Sequence, residues 1–282
     1  MELPVRFDSD GVPLAGTFYV KDGTSGRVPG IVLAHGFAGA RYPKMAAHLA
    51  GLGYGVLAFD FRGYGDSGGE RGRVIPAEQA MDIRSAVTWL VARAEIDSGR
   101  IGVVGSSLGG SVAIIAVAED DRVKVCVAGC PLGKGDSPMR LQYDSEEKFA
   151  AFLEKVRQKR QRNERLHRFE IVFIPENLRS FLPPGTPMDF SPDTVDGFLA
   201  MKPMEAVSRI APRPLLIIHA KDDHVVPVDD ARALADRAGK NCDLELIDAG
   251  DHFIFGAQPV IQKIGDWLVQ HLPPGPAAGK PR

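Results

Sequence analysis

The sequence predicts an α/β protein: a mostly parallel, doubly wound sheet of about eight strands with an inserted cap. Three observations predict it. Short apolar runs such as IVLAH (31–35), GVLAFD (55–60), IGVVG (101–105) and VKVCVAG (123–129) read as strands buried on both faces. Segments with apolar residues at helical spacing alternate with these runs, and such alternation means parallel strands with helices on both faces. The rhythm then stops near residue 133 and resumes near 207, as an insertion above the sheet would make it do.

Taken in order, two N-terminal strands are expected at about 3–8 and 14–20, joined through Gly11 and Pro13. After strand 31–35 comes a helix near 43–52, then strand 55–60. Residues 77–95 carry Ala80, Ile83, Val87, Leu90 and Val91 at helical spacing. Strand 101–105 hands over to a small-residue helix at 107–119, and strand 123–129 follows. PLLIIHA (214–220), a helix near 228–238, CDLELID (242–248) and a helix near 259–271 complete the alternation. The expected divisions are a first core part, 1–132, a cap, 133–207, a second core part, 208–272, and a disordered tail, 273–282. That tail, PPGPAAGKPR, has nothing to bury.

Bulk properties exclude several function classes. With 282 residues, 44% hydrophobic and 25% charged, the chain can build a real core. A net charge of −2 supplies no global field toward nucleic acid or membrane. Cys126, Cys130 and Cys242 form no disulfide framework and no metal-binding spacing. The start, MELPVRFDSDG, has acids where a secretory signal needs basic residues, and no apolar run nears the roughly 20 residues that span a bilayer. A cytoplasmic protein is expected, and a homo-oligomer stays compatible with the sequence.

The chemistry concentrates at Gly105-Ser106-Ser107-Leu108-Gly109, a G-x-S-x-G pattern between strand IGVV and a helix. A nucleophile there sits on a sharp, strained turn, so its neighbours two residues away must lack bulk. Ser107 is the central serine, at a helix N-terminus that favours negative charge, and Ser106 points elsewhere on such a turn. A hydroxyl needs an adjacent base, itself oriented by a third group. His252, in the loop after strand 242–248, is the best-placed base, with His224 the rival. His35 reads as a loop-shaping residue, His219 as a core histidine, and His48, His167 and His271 as surface or packing residues. KDDHVVP (221–227) offers Asp222 and Asp223 as the acid, whereas Asp248 and Asp251 lie too near His252 in the chain. Serine, acid and base then all fall at carboxyl ends of strands, where α/β sheets place their sites.

With these residues the chain resembles the α/β-hydrolase superfamily over nearly its whole length. Besides the serine turn, His35-Gly36-Phe37 resembles the family's oxyanion loop, and Asp60-Phe61-Arg62-Gly63-Tyr64-Gly65-Asp66-Ser67 is similar to its D-x-R-G-x-G-x-S segment. Asp223-His224-Val225-Val226-Pro227 resembles its D-x-V-V-P acid loop, which favours Asp223 over Asp222. Within the superfamily the chain is most similar to small carboxylesterases of the feruloyl or cinnamoyl esterase kind and to the related serine aminopeptidase group. The long cap departs from the shortest of those esterases, and a serine at 107 argues against the dehalogenase branch.

The resemblance implies a cofactor-independent and metal-independent serine hydrolase that cleaves a small to medium carboxylic ester through an acyl-enzyme. Ser107, Asp223 and His252 would form the triad, and the backbone N–H groups of Phe37 and Leu108 the oxyanion hole. A peptidase or amidase, or a thioesterase, is the alternative on the same fold. A peptidase would need the cap to read a charged amine, for which Glu146, Glu147 and Glu154 are available. A distant alternative is nucleic-acid binding through Lys155, Arg157, Lys159, Arg160, Arg162, Arg165 and Arg168. Against it, Phe149, Phe152, Leu153 and Val156 make an apolar stripe that turns the charged side of this cap helix to water. A catalytically dead binding relative is disfavoured because every triad position is filled.

Overall fold

A computed structural model describes residues 1–24, 26–39, 41–248 and 250–275. Strands β1 (Glu2–Ser9) and β2 (Val12–Tyr19) form a hairpin, then β3 (Val28–Ala34), α1 (Pro43–Gly51), β4 (Gly55–Phe59) and α2 (Pro76–Val91) follow. Next come β5 (Ile96–Ser106), α3 (Leu108–Ala118) and β6 (Val123–Gly129). An insertion then carries α4 (Ser137–Arg140), α5 (Glu146–Gln161), β7 (Leu166–His167), α6 (Arg168–Ile171), β8 (Asp189–Phe190), α7 (Asp193–Ala200) and α8 (Pro203–Ala206). The chain closes with β9 (Leu215–Ala220), α9 (Val228–Ala238), β10 (Cys242–Ile247) and α10 (Gln258–His271).

The main sheet has eight strands in the order β1-β2-β4-β3-β5-β6-β9-β10. The pairs β1–β2 and β2–β4 are antiparallel, and every other pair is parallel. This is the mostly parallel sheet the alternation predicts. In the hairpin turn Asp10 and Gly11 both have positive φ (54° and 76°), the geometry whose twist matches paired strands. Successive residues of a strand face opposite ways, so Val103 joins one apolar layer and Val104 the other. The first layer takes Ile83 and Leu90 of α2, Val112 of α3 and Leu234 of α9. The second takes Met45 and Leu49 of α1 and Ile264 and Leu268 of α10. The insertion joins the first layer through Phe149, Phe152, Val156, Phe190 and Phe198.

Several boundaries differ from the sequence reading, three of them with a visible cause. Helix α2 ends at Val91, not 95, because the chain must turn back to the sheet, where Glu95 O accepts from Val28 N at 2.9 Å. Strand β5 begins at Ile96, five residues early. The register against β3 jumps from Asp97 to Ile101, and Asp97 holds the looped-out residues by accepting from Gly99 N and Arg100 Nε. The tail is anchored at its start, since Pro273 O accepts from Arg100 Nη1 at 3.0 Å. The rest of the expected disordered tail, 276–282, lies outside the described residues. Among the described residues no helix is long and apolar enough to cross a membrane.

Candidate active site

The carboxyl ends of the parallel strands meet the insertion around one cavity. Ser107 stands where β5 becomes α3, with φ 55° and ψ −127°, a conformation an L-residue adopts only under constraint. Its own N–H donates to Gly129 O of the neighbouring strand at 2.6 Å, which locks the turn. A β-carbon at Gly109 would lie 2.3 Å from His35 O, so only glycine lets the helix start this close to β3. Ser106 points away from the turn's apex, its hydroxyl accepting from Tyr42 OH at 3.1 Å.

His252 enters from a short 3₁₀ turn after β10, its ring buried. Its Nε2 lies 2.8 Å from Ser107 Oγ and its Nδ1 2.8 Å from Asp223 Oδ2. The carboxylate can only accept, so the Nδ1–H donates to it and Nε2 is left to accept the serine proton. Asp223 Oδ1 accepts from the N–H groups of Val225 and Val226, both at 2.8 Å. Burial works against ionisation of Asp223, but the facing His252 and hydrogen bonds from His219 and His252 outweigh it. The carboxyl is held far below its usual range.

The other acids and bases stand apart. Asp222 is exposed, and Asp248 pairs with Lys221. His224, the rival base, is exposed and bonded to Asp251 Oδ2 at 2.7 Å, a contact that raises its pKa. His35 is buried with its ring spanning Gly36 O and Phe61 N, and burial lowers its pKa. The Asp60–Ser67 segment is tied internally and to its neighbours: Asp60 takes Arg41 and Asp66 N, and Arg62 grips Asp82.

His219 is more than the core histidine the sequence suggests. Its Nε2 lies 3.3 Å from Asp223 Oδ2, the oxygen that also meets His252, and 3.1 Å from Val226 O. The four-residue offset from His219, in β9, to Asp223, just past its end, is the sequence signal for this contact. Cys130, His219 and Asp223 could together approach a metal, their ligand atoms lying within 4.8 Å of one another. Burial and then the charge of Asp223 push the Cys130 thiol well above its ordinary pKa, which disfavours the thiolate a metal needs. A metal bound there would also draw on the carboxylate that His252 holds.

The loop after β3 faces Ser107, and a β-carbon at Gly36 would lie 2.9 Å from Ser107 Cβ. Phe37 follows, while Leu108 opens α3, and among the described residues neither N–H reaches an acceptor. The cavity between them measures about 220 Å³. The sheet side supplies Phe37, Ser107, Leu108 and His252, and the insertion supplies Val172, Ile174, Phe181, Leu182, Phe198 and Arg168. Of the insertion's other aromatic residues, Phe149, Phe152 and Phe190 are buried away from it and Phe173 is exposed.

The basic stretch is not the continuous surface a phosphate backbone would require. Lys155 and Lys159 pair with Glu170, Arg157 with Glu154, Arg160 with Asp193 and Asp196, Arg162 with Glu164, and Arg165 with Glu70. Arg168 corrects the sequence reading outright, being only 1% exposed. Its guanidinium lies over the rings of Phe37 and Phe190, which accept its charge on their faces, rather than in water.

Comparison with known proteins shows the family. The family described as serine aminopeptidase, S33, matches residues 29–258. An uncharacterised 31.7 kDa protein from the traX–finO intergenic region of Escherichia coli is 31% identical over 94% of this chain and 97% of its own length. The thiohydrolase apmlB of Arthrinium phaeospermum is 26% identical over 79% of this chain and 80% of its own. Est1E of Butyrivibrio proteoclasticus, solved with ferulic acid bound, superposes with a TM-score of 0.70 at 20% identity, covering 95% of this chain and 98% of that one. The chain belongs to the serine aminopeptidase S33 family of α/β hydrolases.

Proposed function

We propose that the protein hydrolyses a carboxylic ester of a small to medium substrate through an acyl-enzyme on Ser107. The observation that carries this reading is the His252 ring, which bridges Ser107 Oγ and Asp223 Oδ2 at 2.8 Å each. His252 Nε2 takes the hydroxyl proton as Ser107 Oγ attacks the ester carbonyl, and Asp223 steadies the resulting imidazolium. Negative charge moves to the carbonyl oxygen, where the N–H groups of Phe37 and Leu108 meet it. His252 then returns the proton to the leaving alcohol. Water attacks the acyl-enzyme by the same route and frees the acid. Each step uses only the chain's own groups and water.

Residues 133–207 act in this reading as a cap whose apolar wall receives the acyl group. Ester or thioester is favoured over a substrate with a free amine, because no acid lines the cavity among the described residues. The glutamates available to read an amine lie elsewhere: Glu146 pairs with Arg140, Glu154 with Arg157, and Glu147 is exposed. The thiohydrolase relative keeps a thioester as the second reading. Nitrophenyl esters of increasing acyl length, the matching S-acyl thioesters and aminoacyl anilides, assayed side by side, test the choice. Turnover of esters that vanishes in Ser107→Ala is expected. Turnover of anilides alone would replace this reading with a peptidase.

A further inference from the structure

Resting on the reading of Phe37 as an oxyanion donor, we propose that the insertion completes the oxyanion hole. Arg168, together with Tyr64, is a positioning residue that holds Phe37 where its N–H can meet the reacting oxygen.

The loop that carries Phe37 has little to stiffen it from within. Gly36 and Gly39 flank it, the latter at φ 87°, and glycine leaves a backbone free to move. Its own bonds are Gly39 N to Gly36 O at 3.1 Å and the contact of His35 Nδ1 with Gly36 O. What fixes Phe37 comes from outside the loop. Its carbonyl accepts from Arg168 Nη2 at 2.9 Å and from Tyr64 OH at 3.1 Å. Its ring is stacked on Phe190 with centroids 4.5 Å apart, and Phe198 meets it edge-on at 5.2 Å. The Arg168 guanidinium lies 4.4 Å above the ring centre. One residue further on, Ala38 O accepts from Thr186 Oγ1 at 3.1 Å. Arg168, Thr186, Phe190 and Phe198 all belong to the insertion.

The choice of arginine has a cost that positioning explains. Among the described residues the Arg168 guanidinium bonds only carbonyls, no carboxylate, and its partner besides Phe37 O is Pro187 O, at 2.8 Å from Nε. Removing a guanidinium from water without an acid is unfavourable, and burial lowers its pKa to about 10. A methionine would fill the same apolar space without that penalty. It would not deliver a charged, planar donor that binds two carbonyls while stacking on the aromatic ring of the residue it holds. An oxyanion donor helps only if it is already in place when charge develops. Holding Phe37 therefore acts on the transition state and not on the bound ester.

The test is a split between kcat and KM. Arg168→Met and Tyr64→Phe would be assayed on neutral short-chain nitrophenyl esters, with active sites counted by fluorophosphonate labelling of Ser107. Complete loss of an oxyanion donor costs roughly 10²–10³ in kcat, so a donor displaced but retained should cost about 10–100-fold. Arg168→Met is expected in that range with KM within about twofold of wild type, and phosphonylation slowed in step. Tyr64→Phe, a milder change that keeps the ring, should show the same pattern with a smaller loss. Arg168→Lys should recover part of the rate. Unchanged kcat per labelled site in both variants would overturn the proposal, leaving Arg168 a packing residue. So would a rise in KM confined to esters with a carboxylate on the acyl chain, since Arg168 would then bind substrate directly. Failure of the wild-type protein to label at Ser107 or to turn over any ester would instead sink the serine-hydrolase reading itself.

Discussion

The two walls of the cavity are built on different principles. On the sheet side, main-chain hydrogen bonds and strand ends set each group: Ser107 N is tied to Gly129 O, and Asp223 is gripped by two N–H groups of its own loop. On the insertion side the wall is apolar and held by side-chain packing, down to Phe181, which is 62% exposed and rests on Phe253 with ring centroids 6.2 Å apart. Backbone geometry holds a reacting constellation to a fraction of an ångström, whereas a wall of side chains can be re-cut without moving the chemistry. Arg168 crosses from one system to the other, which is why its loss should register in kcat.

The largest expected effect lies on the sheet side. Ser107→Ala should remove roughly 10³–10⁶ of the turnover, as losing a triad nucleophile does elsewhere. Ser106→Ala, which gives up only a bond with Tyr42, should keep most of it. Initial rates on one ester decide between them, and a dead Ser106→Ala with an active Ser107→Ala would reverse the assignment of the turn. Next comes the acid. Asp223→Asn should cost on the order of 10⁴ in kcat, because an amide there selects the wrong tautomer of His252. Exposed Asp222→Asn should stay near wild type. Similar, mild losses in both would send the search to another carboxylate.

Smaller effects separate the parts of the insertion. Phe152→Ala, on the buried face of α5 and away from the cavity, should lower stability by about 3–5 kcal/mol in denaturant titration without altering the preference among acyl lengths. Phe181→Ala should do the reverse. Its fold would persist, while the ratio of kcat/KM for long and short acyl esters shifts by about 1–3 kcal/mol per methylene no longer contacted. If Phe181→Ala only lowered Tm, this wall would be a cover and not a selector. Least of all should come from Arg160→Ala. Its pairs with Asp193 and Asp196 join α5 to α7 in water, and exposed pairs of this kind contribute about 0–1 kcal/mol. A larger loss of Tm would mean that these ion pairs, rather than the aromatic residues beneath them, hold the insertion together.

Much of the sheet side was legible because its signals are local. A parallel strand must be apolar along its length, and a nucleophile on a strained turn must have glycine two residues away, so IGVVGSSLGG announces both element and site. The acid loop was legible only to the level of Asp222 or Asp223 until the resemblance favoured one. Nothing in two adjacent aspartates says which is buried. Cys130 beside Asp223 has no local signal, because their proximity arises from two strands, β6 and β9, whose paired residues, such as Cys126 and Leu215, lie 89 positions apart in the chain. The insertion gave a true signal at α5, whose apolar stripe does face inward, and a false one at Arg168. Counting charges along a helix assigns every arginine to water. Whether an aromatic face and a carbonyl stand ready to receive it is not a property of its own segment.

What the sequence determined by itself is therefore what short-range physics controls: the alternation of strand and helix, the turn at Ser107, the loop location of His252 and the existence of an interruption near 133–207. The tertiary structure alone decided which insertion aromatic residues reach the cavity and that Arg168 leaves its charged neighbours to sit over Phe37, and it set Asp223, which the resemblance had only favoured, against His252. Those outcomes depend on contacts between segments far apart in the chain. Their energies come from burial and charge in places that exist only once the chain has closed around them.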